Sequence, residues 1–392
     1  NGLWTEKQYP NLAKWLQENE KLLQIVNEGT LRENWYYPVF TQTNKDGKPV
    51  PLLMMLLPHV QKMRGLARAF LIRANLHLAN KEPEKAWADL QTCHRLGRLT
   101  AKGPTLIDFL VGVAINSIAT HGELRLLSEG NLTEKQIDQF LNDLSELPPM
   151  PHVSMNINVT ERMLFNDSVS LLRDGHLTVS ELTGDSSTEK SPFEQPILRA
   201  LIDWGVVLKR GNEVYDELVA ILEIKDLAER RTKLAEFDQK WTEIRSNFST
   251  TSLMKDYVRT GSASTVVTER MADAIVTLLM PALHAVDTAQ LRHLQTNENL
   301  MLAMQLAKFK ARTGNYPDTL ADLEKELSIK VSLDLCSGKP MHYTKTDTGY
   351  VLYSVGTNGI DEGGKSWNDP PINSSGVTGD DNVVRMPLPK EE

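Results

Sequence analysis

The sequence predicts a mainly α protein, a multi-helix body packed as helical hairpins, that ends in a small C-terminal α+β module. Three observations predict it. Apolar residues recur at helical spacing through roughly the first 310 residues. The break Thr313-Gly314-Asn315-Tyr316-Pro317 then stops that pattern with a left-handed turn and an extended Tyr-Pro step. Beyond residue 340 side chains alternate by twos, as in strands. The expected organisation is an N-terminal helical domain at 1–150, a second helical region at 151–312, and a β module with an acidic, loop-rich tail at 313–392.

The totals bound the function. A chain of 392 residues exceeds one ordinary core, so two or three domains are expected. The net charge of -8, with no basic stripe, argues against a nucleic-acid partner. The apolar runs Leu52–Leu57 and Ile275–Leu283 fall far short of the ~20 residues that span a bilayer. The chain begins with Asn1, so a removed N-terminal signal or anchor is expected, and with it an exported, periplasmic or membrane-anchored protein. Cys93 and Cys336 are too few for a disulfide-stapled chain; buried or free thiols are expected, with a pair as the alternative.

The elements follow in order. Leu12, Trp15, Leu16, Leu22, Leu23 and Val26 keep helical spacing after Pro10, and Gly29 ends the run. Trp35-Tyr36-Tyr37-Pro38-Val39-Phe40 is an extended aromatic segment that packs across the first helices or lines a groove. A long helix from Pro51 to about Asn80 and a second from Pro83 to Leu99 turn at Glu82-Pro83, where proline suits a first helical position. The pair resembles one tetratricopeptide-type unit, with Ala74, Ala86 and Leu90 at packing positions, but nothing repeats at the ~34-residue period.

After the break at Gly103-Pro104-Thr105, the helix from Leu106 to Ala119 is apolar on most faces and belongs in the middle of the core. Its polar groups Asp108, Asn116 and His121 then need partners. Thr133 and Gln136 form a capping-box pattern for the next helix. Residues 158–173 read as helix, 174–192 as a polar loop, and 195–247 as helix again. A pattern from Thr265 to Arg312 runs nearly unbroken, with Pro281 to kink or split it. A short helix follows, bringing Leu320 and Leu323 back onto its predecessor. Met341–Thr344 and Gly349–Val355 then pair as a hairpin that places Tyr343, Tyr350 and Leu352 on one face.

Tyr316-Pro317, Asp334 with Ser337-Gly338-Lys339-Pro340, Tyr343, Gly349-Tyr350, Tyr353 through Gly359, Gly363-Gly364 and Asp380 through Val383 together carry a resemblance. In that order they resemble the C-terminal region of type II secretion major pseudopilins, across roughly Leu300 to Val384. The resemblance implies a long helix on a small antiparallel sheet, closed by a calcium-binding loop. This chain departs from the family at Asn358, where Asp is common, and at an inserted excursion over 365–379. The helical body is no part of a pseudopilin. The order of parts is similar to large exported or membrane-anchored bacterial proteins.

Calcium needs six to eight oxygens. Asn358, Asp361, Glu362, Asp380 and Asp381 are the expected ligands, with Gly356, Gly359, Gly363 and Gly364 freeing the backbone to turn its carbonyls inward. The alternative is a solvated acidic tail. The spacing is not that of a twelve-residue helix–loop–helix site, and no nucleotide loop, H-E-x-x-H or G-x-S-x-G pattern is present. His77 and His94 either face each other across the turn at Pro83 or are satisfied separately, and Asp108, Glu123 and Glu161 are carboxylates that such a site would recruit. Two functions remain. One is a non-enzymatic scaffold or protein-interaction protein of the cell envelope, with a protein partner. The other is a hydrolase with its site in a cleft of the body or between body and module.

Overall fold

The computed structural model describes residues 2–38, 43–45, 47–55, 57–178, 181–182, 196–246, 262–280, 283–372 and 376–389. The chain opens with α1 (Pro10–Glu18), α2 (Glu20–Thr30), α3 (Pro58–Ala79), α4 (Pro83–Ala101), α5 (Leu106–Glu129) and α6 (Glu134–Ser145). Proline begins α1, α3 and α4, where its missing N–H has no intrahelical partner to lose. Capping boxes begin α5 (Thr105 with Asp108) and α6 (Thr133 with Gln136). α7 (Arg162–Asp174) continues out of a short α turn at Ser154–Asn156 and a π turn at Ile157–Glu161.

α8 (Pro196–Leu201), α9 (Trp204–Leu222), α10 (Leu227–Ser246), α11 (Ala263–Leu279) and α12 (Leu283–Thr313) complete the body. The long pattern at 265–312 is therefore two helices, parted where Met280 turns extended (φ -68, ψ 125). Pro281, Val39-Phe40 and most of the loop read at 174–192 lie outside the described residues. No helix among the described residues is long and apolar enough to cross a membrane.

The expectation that α5 is central holds, and the reason is its lack of a polar face. Leu106, Phe109 and Val113 pack with α7 and α9–α11, while Val111, Ile115 and Ala119 pack with α1–α4. Leu126 packs with α3, α4, α6 and α12. α4 and α5 approach so closely at Gly97 and Gly112 that a Cβ on Gly112 would lie 2.5 Å from the Gly97 carbonyl oxygen and 2.7 Å from Ala101 N. Both neighbours are backbone and have no rotamer to yield. Gly112→Ala is therefore expected to cost about 1–3 kcal/mol through overpacking. Urea unfolding of the two proteins measures it.

The C-terminal module adds α13 (Leu320–Leu327) and the antiparallel strands β1 (His342–Lys345), β2 (Tyr350–Ser354) and β3 (Asn382–Met386), in the order β1-β2-β3. Tyr343 stands opposite Leu352, and Tyr350 and Leu352 are buried, so the three share a face as read from the sequence. That face, with Val384 and Met386, covers Leu302, Ala303 and Leu306 of α12 and Leu323 of α13. The third strand was not legible. Its five residues follow the polar 365–381 stretch and pair with β2 across some thirty residues of chain, which local alternation does not report.

Candidate metal centre

The five predicted ligands do gather around one loop, between the end of β2 and the start of β3. Gly356 makes the entry turn at φ 69, and a Cβ there would sit 2.1 Å from the Asp380 carbonyl oxygen, so only glycine fits. Asp380 Oδ2 accepts Thr357 N (2.8 Å), Thr357 Oγ1 (2.9 Å) and Asn358 N (3.0 Å), and its Oδ1 pairs with Arg292 of α12. Burial acts to raise the Asp380 carboxyl, but those hydrogen bonds and the Arg292 cation together hold it below the usual range.

Asp381 differs. It is almost fully buried; Oδ2 accepts Gly364 N (2.7 Å) and Lys365 N (3.2 Å), and Oδ1 accepts Glu362 N at 3.5 Å. Burial first, and the adjacent Glu362 carboxylate second, push its proton affinity up to about 6 despite the backbone donors. Glu362 itself accepts Asn358 Nδ2 (2.6 Å) and Asp380 N (3.1 Å). The neighbouring Glu362 carboxylate thus favours the protonated form of Asp381.

Asp361 is exposed and turned outward: Gly363 N donates to it, Tyr353 Oη donates at 3.2 Å, and His342 Nδ1 lies 3.8 Å away. The Gly363 N–H is the chief cause of its lowered carboxyl pKa. Asn358 Oδ1 accepts Ile360 N. Among the described residues no group of three or more His, Cys, Asp or Glu forms a ready-made metal cluster. A hard cation bound at this loop would draw on the Glu362 and Asp381 carboxylates.

The body reaches this loop through residues that no local pattern announces. Arg231 of α10 donates to the carbonyls of Cys336 (2.9 Å) and Thr357 (3.2 Å), and Arg292 holds Asp380. Beneath the loop, Asp334 is 0% exposed. Its Oδ1 accepts Cys336 N (2.7 Å) and Ser354 Oγ (2.7 Å), and its Oδ2 accepts Ser337 Oγ (2.8 Å) and Val355 N (3.3 Å).

His77 and His94 are separately satisfied. His94 Nδ1 contacts Asn116 Oδ1 at 2.8 Å and its Nε2 lies 3.0 Å from both Glu123 oxygens, while His77 Nδ1 meets Glu82 at 2.8 Å. They do not face each other: His94 points inward to α5, and His77 stays at the hairpin turn. The three body carboxylates are likewise apart, Asp108 with His59, Glu123 with His94, and Glu161 accepting Leu106 N at 3.3 Å. Burial raises Glu161. Cys93 and Cys336 are both free thiols, and burial pushes each up.

A cleft of about 280 Å³ opens between body and module, lined by Leu127, Ser128, Lys310, Tyr316, Thr348 and Met386 among others. Comparison with protein-family models, with curated proteins and with solved structures finds no match to this chain.

Proposed function

We propose that this chain is a cell-envelope protein-interaction protein whose pseudopilin-like C-terminal module is closed by calcium. The observation that carries the reading is the apposition of Glu362 with the buried Asp381, under a loop that two arginines of the body brace. Calcium would be held by those two carboxylates and would supply the positive charge that otherwise only a proton provides. The α3–α4 pair is read as a single tetratricopeptide-like hairpin within the body.

For the partner-binding role, the support is a bare stripe. Met155, Val159 and Met163, four residues apart through the π turn into α7, are 65%, 58% and 48% exposed. Flexible thioethers on an exposed helix suit a protein partner. An enzyme seated between body and module has less support, since the cleft there offers Lys310 and Tyr316 as its ionisable groups. The exported or membrane-anchored location rests on the pseudopilin-like module alone.

Thermal melting in millimolar calcium and in chelator tests the metal. At a concentration about 100 times the dissociation constant, calcium stabilises the fold by about 2.7 kcal/mol, so the midpoint rises at pH 7.5. The metal competes with the proton that Asp381 holds up to about 6, so the gain shrinks as pH falls through that value and is small at pH 5. Equal midpoints in calcium and chelator at pH 7.5 remove the metal from the account.

A further inference from the structure

We propose that His59 is a general base, held under an aromatic strap, that acts on small esters carrying no negative charge. His59 lies in the first turn of α3 and is 5% exposed. Its Nε2 is 2.6 Å from Asp108 Oδ1. Asp108 is fully buried, and its Oδ2 accepts Thr105 N (3.0 Å) and Thr105 Oγ1 (2.7 Å). An ionised carboxylate only accepts, so Nε2 carries the ring proton and, in the neutral ring, Nδ1 carries the lone pair. That Nδ1 is buried and has no hydrogen-bond partner. An unmade bond at such a depth costs about 1–3 kcal/mol and requires a reason.

At His94 both ring nitrogens are occupied. His59 instead has one nitrogen oriented by a carboxylate and the other free, which is the arrangement general-base catalysis uses. What closes the site is Tyr37, whose ring stacks on the imidazole at 3.7 Å and 27°. Tyr37 belongs to an irregular stretch held at Glu33, whose carbonyl accepts Lys102 Nζ (2.8 Å). Its neighbour Tyr36 is 83% exposed, so this stretch lies at the surface, and its Tyr37 ring covers one face of the imidazole.

The ligand's chemistry follows from the walls. Asp108 repels anions, so the substrate carries no negative charge. His59 is only 5% exposed, so the molecule that reaches it is small. In the reaction, Nδ1 takes a proton from water as the hydroxide oxygen adds to the ester carbonyl. The tetrahedral species then expels the alkoxide, which takes the proton back from Nδ1, leaving carboxylic acid and alcohol. Asp108 stabilises the transient imidazolium through Nε2–H.

Two measurements on the full chain decide it. Diethyl pyrocarbonate, which acylates unprotonated imidazole, should modify His59 of the unaltered protein ahead of His94, and faster still in Tyr37→Ala, as mapped by peptide mass. Tyr37→Ala should hydrolyse p-nitrophenyl acetate faster than the unaltered protein. Adding His59→Gln to it should lower the rate roughly 100-fold, the low end of what a positioned base contributes. A His59 no more reactive than His94, or a double variant as active as Tyr37→Ala, overturns the proposal.

Discussion

Replacing Asp334 by Ala is expected to cost the C-terminal module about 3–5 kcal/mol, as removing one partner of a buried charged network does. The side chain accepts four donors, two hydroxyls (Ser337, Ser354) and two backbone N–H groups (Cys336, Val355), with no exposure to water. Alanine leaves all four unpaired in a site that water does not reach. Asp334→Asn keeps the shape but sets an amide N–H₂ against donors, so it should fall between the two. Hydrogen exchange of the β1–β3 amides measures the effect; unchanged protection in Asp334→Ala would contradict the hub assigned to this carboxylate.

Acid is expected to destabilise the whole body through His293. Burial, and then the neighbouring Arg98 and His94, push its imidazole down to about 4. Between roughly pH 6.5 and 4 the unfolded chain binds a proton there that the folded chain does not, so stability falls as pH falls. The full contribution is about 3 kcal/mol, reached below about pH 4. Urea titrations at pH 7 and pH 4.5 should show it, and His293→Gln should flatten that part of the slope. A variant with the same pH dependence as the parent would remove His293 from the account.

Much of the fold was readable because its causes are local. Caps such as Thr133 with Gln136, prolines at first helical positions, and the all-apolar stretch of α5 act within a turn or two. The hairpin of β1 and β2 was readable for the same reason, through Tyr343, Tyr350 and Leu352. What escaped depends on chain that returns from afar. β3 pairs with β2 only after the excursion over 365–379, and Arg231 meets Thr357 across 126 residues. The five acidic-loop residues were brought to one place, yet their roles divide in ways spacing does not encode. Asp380 answers to Arg292, Asp361 faces outward, and only Asp381 is buried against Glu362. His59 and Asp108 lie 49 positions apart on separate helices, and no motif joins them.

Glu362 and Asp381 are proposed to share a cation. Isothermal titration of calcium into the full chain at pH 7.5 tests it most directly, with Glu362→Gln as the comparison. A saturable single site is expected in the unaltered protein, with its loss or marked weakening in Glu362→Gln. No binding heat in the unaltered chain, or equal affinity in the variant, would contradict it.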